Sequence, residues 1–139
     1  LLPILQKIHE PGEYNPTLKD IRTWAGILNE SCFNGVIPKF RHIKIQKISG
    51  QLAACDPMGW KNDDDIREAN LQIDSSFPDF KSFIVILAHE MIHAWQWVIK
   101  GKMTHGKTFF QWKEKLLEQG IPLHKEYHRK KILDTEVVV

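Results

Sequence analysis

The stretch from Asp79 to Lys100 constrains this chain most. Its pattern is helical and heavily apolar, and it stops at Gly101, a residue suited to a left-handed C-terminal cap. The run Phe83-Ile84-Val85-Ile86-Leu87-Ala88 is the longest purely apolar one in the chain. Six such residues fall far short of the roughly 20 needed to cross a bilayer, so the segment reads as a central buried helix and no membrane is expected as a partner. His89-Glu90-Met91-Ile92-His93 follows directly on that run, with Ala94-Trp95 beyond it. Three ionisable groups in such company are costly unless they are ligated or hydrogen-bonded.

The spacing His-Glu-x-x-His supplies a reason to keep them. Residues at i and i+4 share one helix face, so His89 and His93 can both reach one metal ion while Glu90 projects beside them toward a metal-bound water. Zinc suits two neutral imidazoles, and a catalytic zinc site needs a third protein ligand plus one position for water. Zinc lowers the water's pKa toward about 7, where a nearby carboxylate can take its proton. The preferred third ligand is His105, twelve residues after His93 and just past the helix break at Gly101, with Glu114 and Glu118 as rivals from the following helix. The compact H-E-x-x-H-x-x-G-x-x-H form is excluded, because Gln96 and Ile99 stand where its Gly and last His would be.

The remainder of the chain has to surround that helix. At 139 residues, 42% hydrophobic and 26% charged, it fits a single domain over 1–139, with a core of about 15–120 and a tail of 121–139. Thr17 and Asp20 resemble a capping box, and Ile21, Trp24, Ala25 and Leu28 then recur as on an amphipathic helix ending near Gly35. His42 to Ile48 alternates polar and apolar as a half-buried strand does, and Ser49-Gly50 suggests a turn. Gln51 to Cys55 and Ile66 to Ile73 read as two further strands flanking a loop from Asp56 to Asp65. A last helix is expected from about Lys107 to Gln119, with Phe109, Trp112 and Leu116 turned inward and Gly120 and Pro122 ending it. The class is therefore α+β, with helices packed on a small antiparallel sheet.

Charge and cysteine usage narrow the setting. A formal net charge of +2 is too balanced to mark a nucleic-acid binder by itself. Cys32 and Cys55 cannot supply the four thiolates of a zinc ribbon and do not resemble a secreted disulfide scaffold, which points to an intracellular, cytoplasmic or nucleoid-associated, protein. Neither has the surroundings that would lower its pKa, so both read as inert thiols. The opening Leu1-Leu2-Pro3-Ile4-Leu5 lacks the basic flank and cleavage site of a signal peptide.

Several other residues invite a chemical reading and mostly decline it. His124 and His128 form a second i, i+4 pair, but among Lys125, Arg129, Lys130 and Lys131 they read as a polar surface. Tyr127, His124 or His128 remain candidates to stabilise an oxyanion above a metal. Asp63-Asp64-Asp65 lacks the alternating ligands and closing Glu of a calcium loop and reads as a solvated turn. Trp95, Trp97 and Trp112 read as packing rather than as base-stacking platforms. Lys100, Lys102, Lys107, Lys113 and Lys115 cluster near the metal region and read as surface lysines, with phosphate contact as the alternative.

Taken together, the apolar lead-in to His89-Glu90-Met91-Ile92-His93-Ala94, then His105-Gly106 with Phe109 or Phe110, the upstream Phe33-Asn34 and the strand-turn-strand with Gly50 resemble a SprT-like metallopeptidase domain over roughly residues 15 to 120. That family includes Spartan-type proteases acting on DNA-protein crosslinks. The resemblance implies one Zn2+ per chain on His89, His93 and His105, Glu90 as general base, and a zincin-like fold with the cleft beside an edge strand. The C-terminal zinc ribbon of many members has no counterpart here, so the compact version of the domain is the comparison. The expected function is zinc-dependent endopeptidase, acting as a monomer on protein or peptide substrates, DNA-associated proteins among them. The alternative is a nucleic-acid-binding module with a structural zinc, with DNA as the partner and no peptidase activity.

Overall fold

The computed structural model of the chain describes residues 2–48, 51–59 and 67–125. Helices α1 (Leu2–Lys7) and α2 (Leu18–Cys32) are followed by strands β1 (Ile43–Ile45), β2 (Ala53–Met58) and β3 (Glu68–Ile73). Helix α3 (Phe80–Trp95) runs straight into a π-helical turn, Gln96–Lys100, before α4 (Lys107–Phe110) and α5 (Lys113–Glu118). This is the α+β architecture that the sequence pattern implies. Helix α1 lay outside that pattern; it seats Ile4 and Ile8 in the core.

The helix starts obey local chemistry. The Thr17 hydroxyl accepts from the Asp20 N–H at 3.1 Å, and the Asp20 carboxylate accepts from the Thr17 N–H at 3.0 Å, a reciprocal box that satisfies two otherwise orphaned donors. At the start of α3, Asp79 accepts from the backbone N–H of Ser82 at 2.8 Å and from its hydroxyl at 2.6 Å. Every residue of α3 except Lys81 and Trp95 is buried. The continuous stretch Phe80–Lys100, 21 residues, is long and apolar enough to cross a membrane by length and composition, yet 78% of its most apolar window lies inside the protein. Gly101 ends the turn at φ 76°, in the left-handed region that glycine adopts freely. The Arg67 guanidinium then donates to the Val98 carbonyl at 3.1 Å, placing a cation where the helix leaves its last carbonyls unpaired.

The sheet corrects one expectation. Its order is β1-β3-β2, with β1 parallel to β3 and β2 antiparallel to it, so the sheet is mixed and β1 and β2 do not pair as a hairpin. Burial explains the order: Ala69, Leu71 and Ile73 of β3 are buried on the face toward α3, so β3 takes the centre, whereas β2 contains Pro57. A proline has no N–H for a ladder and belongs on an edge. The register places it there. Arg41, Leu71 and Gln46 tie residues 69, 71 and 73 to the β1 side, and the Asp74 N–H donates to the Leu52 carbonyl on the β2 side. Residues 70 and 72 therefore bond Asp56 and Ala54, and the backbone groups of Ala53, Cys55 and Pro57 face away from the sheet.

α3 lies against β2 and β3, and α2 packs on α3. Aromatic contacts lock the start of α3: Phe80 meets Tyr14 and Trp24 edge-on at 5.1 and 4.8 Å, and Phe77 meets Phe83 at 5.6 Å. Trp95 and Trp112 meet edge-on at 5.4 Å, and Trp97 donates to the Met58 carbonyl at 2.9 Å, so these tryptophans do serve as packing. Asp63-Asp64-Asp65, Tyr127, His128 and the end of the tail lie outside the described residues.

Candidate metal centre

His89 and His93 stand one turn apart on α3, and the loop after Gly101 returns His105 against them. The Nε2 atom of His93 lies 3.2 Å from Nε2 of His89 and 3.0 Å from Nε2 of His105. A tetrahedral ion with bonds of about 2.0–2.1 Å keeps its ligand nitrogens about 3.3 Å apart, so the spacing fits a shared cation. The donor set fits as well: three imidazoles, two of them buried, offer nitrogen ligands without adding negative charge. Glu114 and Glu118, the rivals for third place, sit exposed on α5 and outside this cluster.

Phe109 forms the floor under all three rings. It is fully buried, with its centroid 4.8 Å from His89, 5.0 Å from His93 in a stacked pose, and 4.9 Å from His105. Its position on α4, four residues after His105, places this floor just beyond the loop that carries the third imidazole. The sequence marks Phe109 as inward-facing and, with Phe110, as part of the family resemblance, but not as a floor beneath the imidazoles.

Burial sets the protonation of the site. Desolvation, then the neighbouring His93 and His105, pushes the His89 pKa down to about 3, with the His124 backbone opposing as a hydrogen-bond partner. His93 is also lowered, first by burial, against the raising effect of Gln96. Both rings are therefore held neutral, the form that binds a metal. Glu90 is 7% exposed, and burial pushes its carboxyl up to about 8, with Asp56 adding to the rise and a hydrogen bond from the Cys55 backbone opposing it. Since the Cys55 N–H points outward from the edge strand, β2 itself orients Glu90. The Cys55 thiol is raised by burial first, and that of Cys32 is pushed up to about 11, which keeps both protonated.

A cleft of about 300 Å³ opens over these groups, lined by His89, Glu90, His93 and His105 together with Leu52, Ala53, Ala54 and Lys125. The edge strand forms one wall. His124, a candidate for the oxyanion role, is exposed, and its backbone borders His89. Residues missed by sequence reasoning include Gln96, whose carboxamide meets His93 Nδ1 at 2.9 Å. The available signal was a polar residue within an otherwise apolar stretch, three positions after His93.

A buried helix thus presents clustered histidines that could hold a metal ion to a cleft walled by an edge strand of an α+β domain. The chain belongs to the SprT-like family, whose sequence model matches residues 22–128. Comparison with curated proteins and with solved structures returns no significant match.

Proposed function

We propose that this domain is a zinc-dependent endopeptidase, with His89, His93 and His105 as metal ligands and Glu90 as general base. The observation that carries the reading is the convergence of three imidazole nitrogens, two of them on rings that burial keeps neutral, beside the buried carboxyl group of Glu90 in an open cleft. Zinc held there supplies Lewis acidity, polarising a scissile carbonyl and lowering the pKa of water. The protein's own groups do the rest. Glu90 takes the proton from the attacking water and passes it to the leaving amine nitrogen. The raised pKa of Glu90 in the metal-free site suits a group that must hold that proton between the two steps. Substrate lies extended along β2, using the outward backbone groups of Ala53 and the outward carbonyls of Cys55 and Pro57. Pairing through backbone groups leaves side-chain preference loose, which suits varied protein substrates, including proteins bound to DNA.

The test is cleavage of an unstructured protein such as casein by zinc-loaded wild type and Glu90→Gln, with and without single-stranded DNA. Wild-type cleavage that falls by at least about 10²-fold in the variant at equal zinc content is the expected result. Stimulation by DNA would point to DNA-associated substrates. Zinc binding with salt-sensitive DNA binding and no cleavage under any condition would favour the nucleic-acid-binding module instead.

A further inference from the structure

We propose that Gln96 is the positioning residue of the metal centre: its carboxamide decides which nitrogen of His93 carries the proton and clamps the His105 loop onto the metal helix. Gln96 opens the π-helical turn after α3 and is 1% exposed. Such turns inside helices recur at functional sites. The orientation of its amide follows from its neighbours. The backbone N–H of Thr104 can only donate, and it reaches Oε1 at 3.3 Å. The other end of the amide, Nε2, donates to the hydroxyl of Thr108 at 2.8 Å and to that of Thr104 at 3.4 Å. Turning the amide over would set an NH2 group against an N–H, so Oε1 faces His93.

That orientation fixes the histidine. Oε1 lies 2.9 Å from His93 Nδ1 and can only accept, so Nδ1 bears the hydrogen. Nε2 is left with its lone pair, and Nε2 is the atom directed at His89 and His105. A metal-bound histidine commonly donates its other N–H to an oxygen, which sets the tautomer and strengthens the ligand. The same carboxamide also anchors Thr104 and Thr108, the residues on either side of His105. The third ligand sits in a stretch without regular structure, so these bonds hold it near α3 before any metal arrives.

The inference rests on the metal reading, and two measurements separate their fates. Zinc affinity, measured by competition with a chromophoric chelator, is expected to weaken about 10–100-fold in Gln96→Met and to recover in Gln96→Glu, which restores the acceptor. In 15N NMR of the metal-free wild type, the His93 proton is expected on Nδ1. Wild-type and Gln96→Met proteins binding zinc equally would overturn the role of Gln96 while leaving the metal centre standing. A wild type that binds no zinc would overturn both. If Gln96→Met does not fold, the NMR result decides: the proton on Nδ1 supports the proposal and on Nε2 overturns it.

Discussion

Replacing Glu90 by glutamine removes a titratable group and keeps the shape, which makes it informative about stability as well as chemistry. In the metal-free protein, the Glu90 pKa of about 8 stands above its ordinary 4.5, so the folded state holds a proton that the unfolded chain releases over that interval. Stability from this group is present below about 4.5 and is lost as pH rises toward 8. His89 has the opposite sign. With a pKa near 3 against 6.5, it stays neutral in the fold, and its contribution is lost as pH falls below 6.5 toward 3. Above pH 6.5 only the Glu90 slope of these two remains. Melting of the chelator-treated protein is therefore expected to shift to lower temperature between pH 6.5 and 8, and Glu90→Gln is expected to flatten that slope. An unchanged slope in the variant would contradict the account. At this scale the coming together of the candidate residues was largely legible, because His89, Glu90 and His93 obey helix geometry and His105 follows the helix break. Gln96 and Phe109 were not, since spacing shows which residues share a face but not which loop comes back to meet them.

Among the elements, α3 and β2 each carry a separable test. Asp79 caps α3 through Ser82, and Asp79→Ala should cost about 1 kcal/mol in chemical denaturation, within a range of about 0.5–2. A change below about 0.3 kcal/mol would mean that the start of this buried helix is fixed by packing alone. For β2, Ala53→Pro removes an outward N–H without touching the bonds to β3, and proline is tolerated at the first position of an edge strand. Zinc content should be unchanged while KM for casein rises several-fold. An unaltered KM would show that substrate does not use this edge. The sequence placed β2 and β3 close to where they fold and in one sheet, yet it gave β1 the wrong neighbour. Alternation reports which face of a strand is buried and says nothing of its partner, so the hairpin expected at Ser49-Gly50 gave way to pairing of both outer strands with the more buried β3. The π-helical turn was equally invisible, because Gln96 to Lys100 continues the helical pattern without a break in composition.

For the whole molecule, a metal held by the three histidines would link site to fold. The two buried histidines lie on the central helix, the third leads into α4, and Phe109 underneath belongs to the core. A cation that joins α3 to the segment from 101 to 110 should stabilise both, since a ligand bound only by the folded state adds about 4 kcal/mol at a thousandfold excess over its Kd. Chelation is therefore expected to lower the melting temperature, and zinc to restore it. The most direct test of the central claim is the metal stoichiometry of the purified chain by native mass spectrometry, beside His89→Ala, His93→Ala and His105→Ala. One zinc is expected per wild-type chain, with loss or severe weakening of binding in each variant. Wild-type protein without metal, or full zinc retained in all three variants, would contradict that claim.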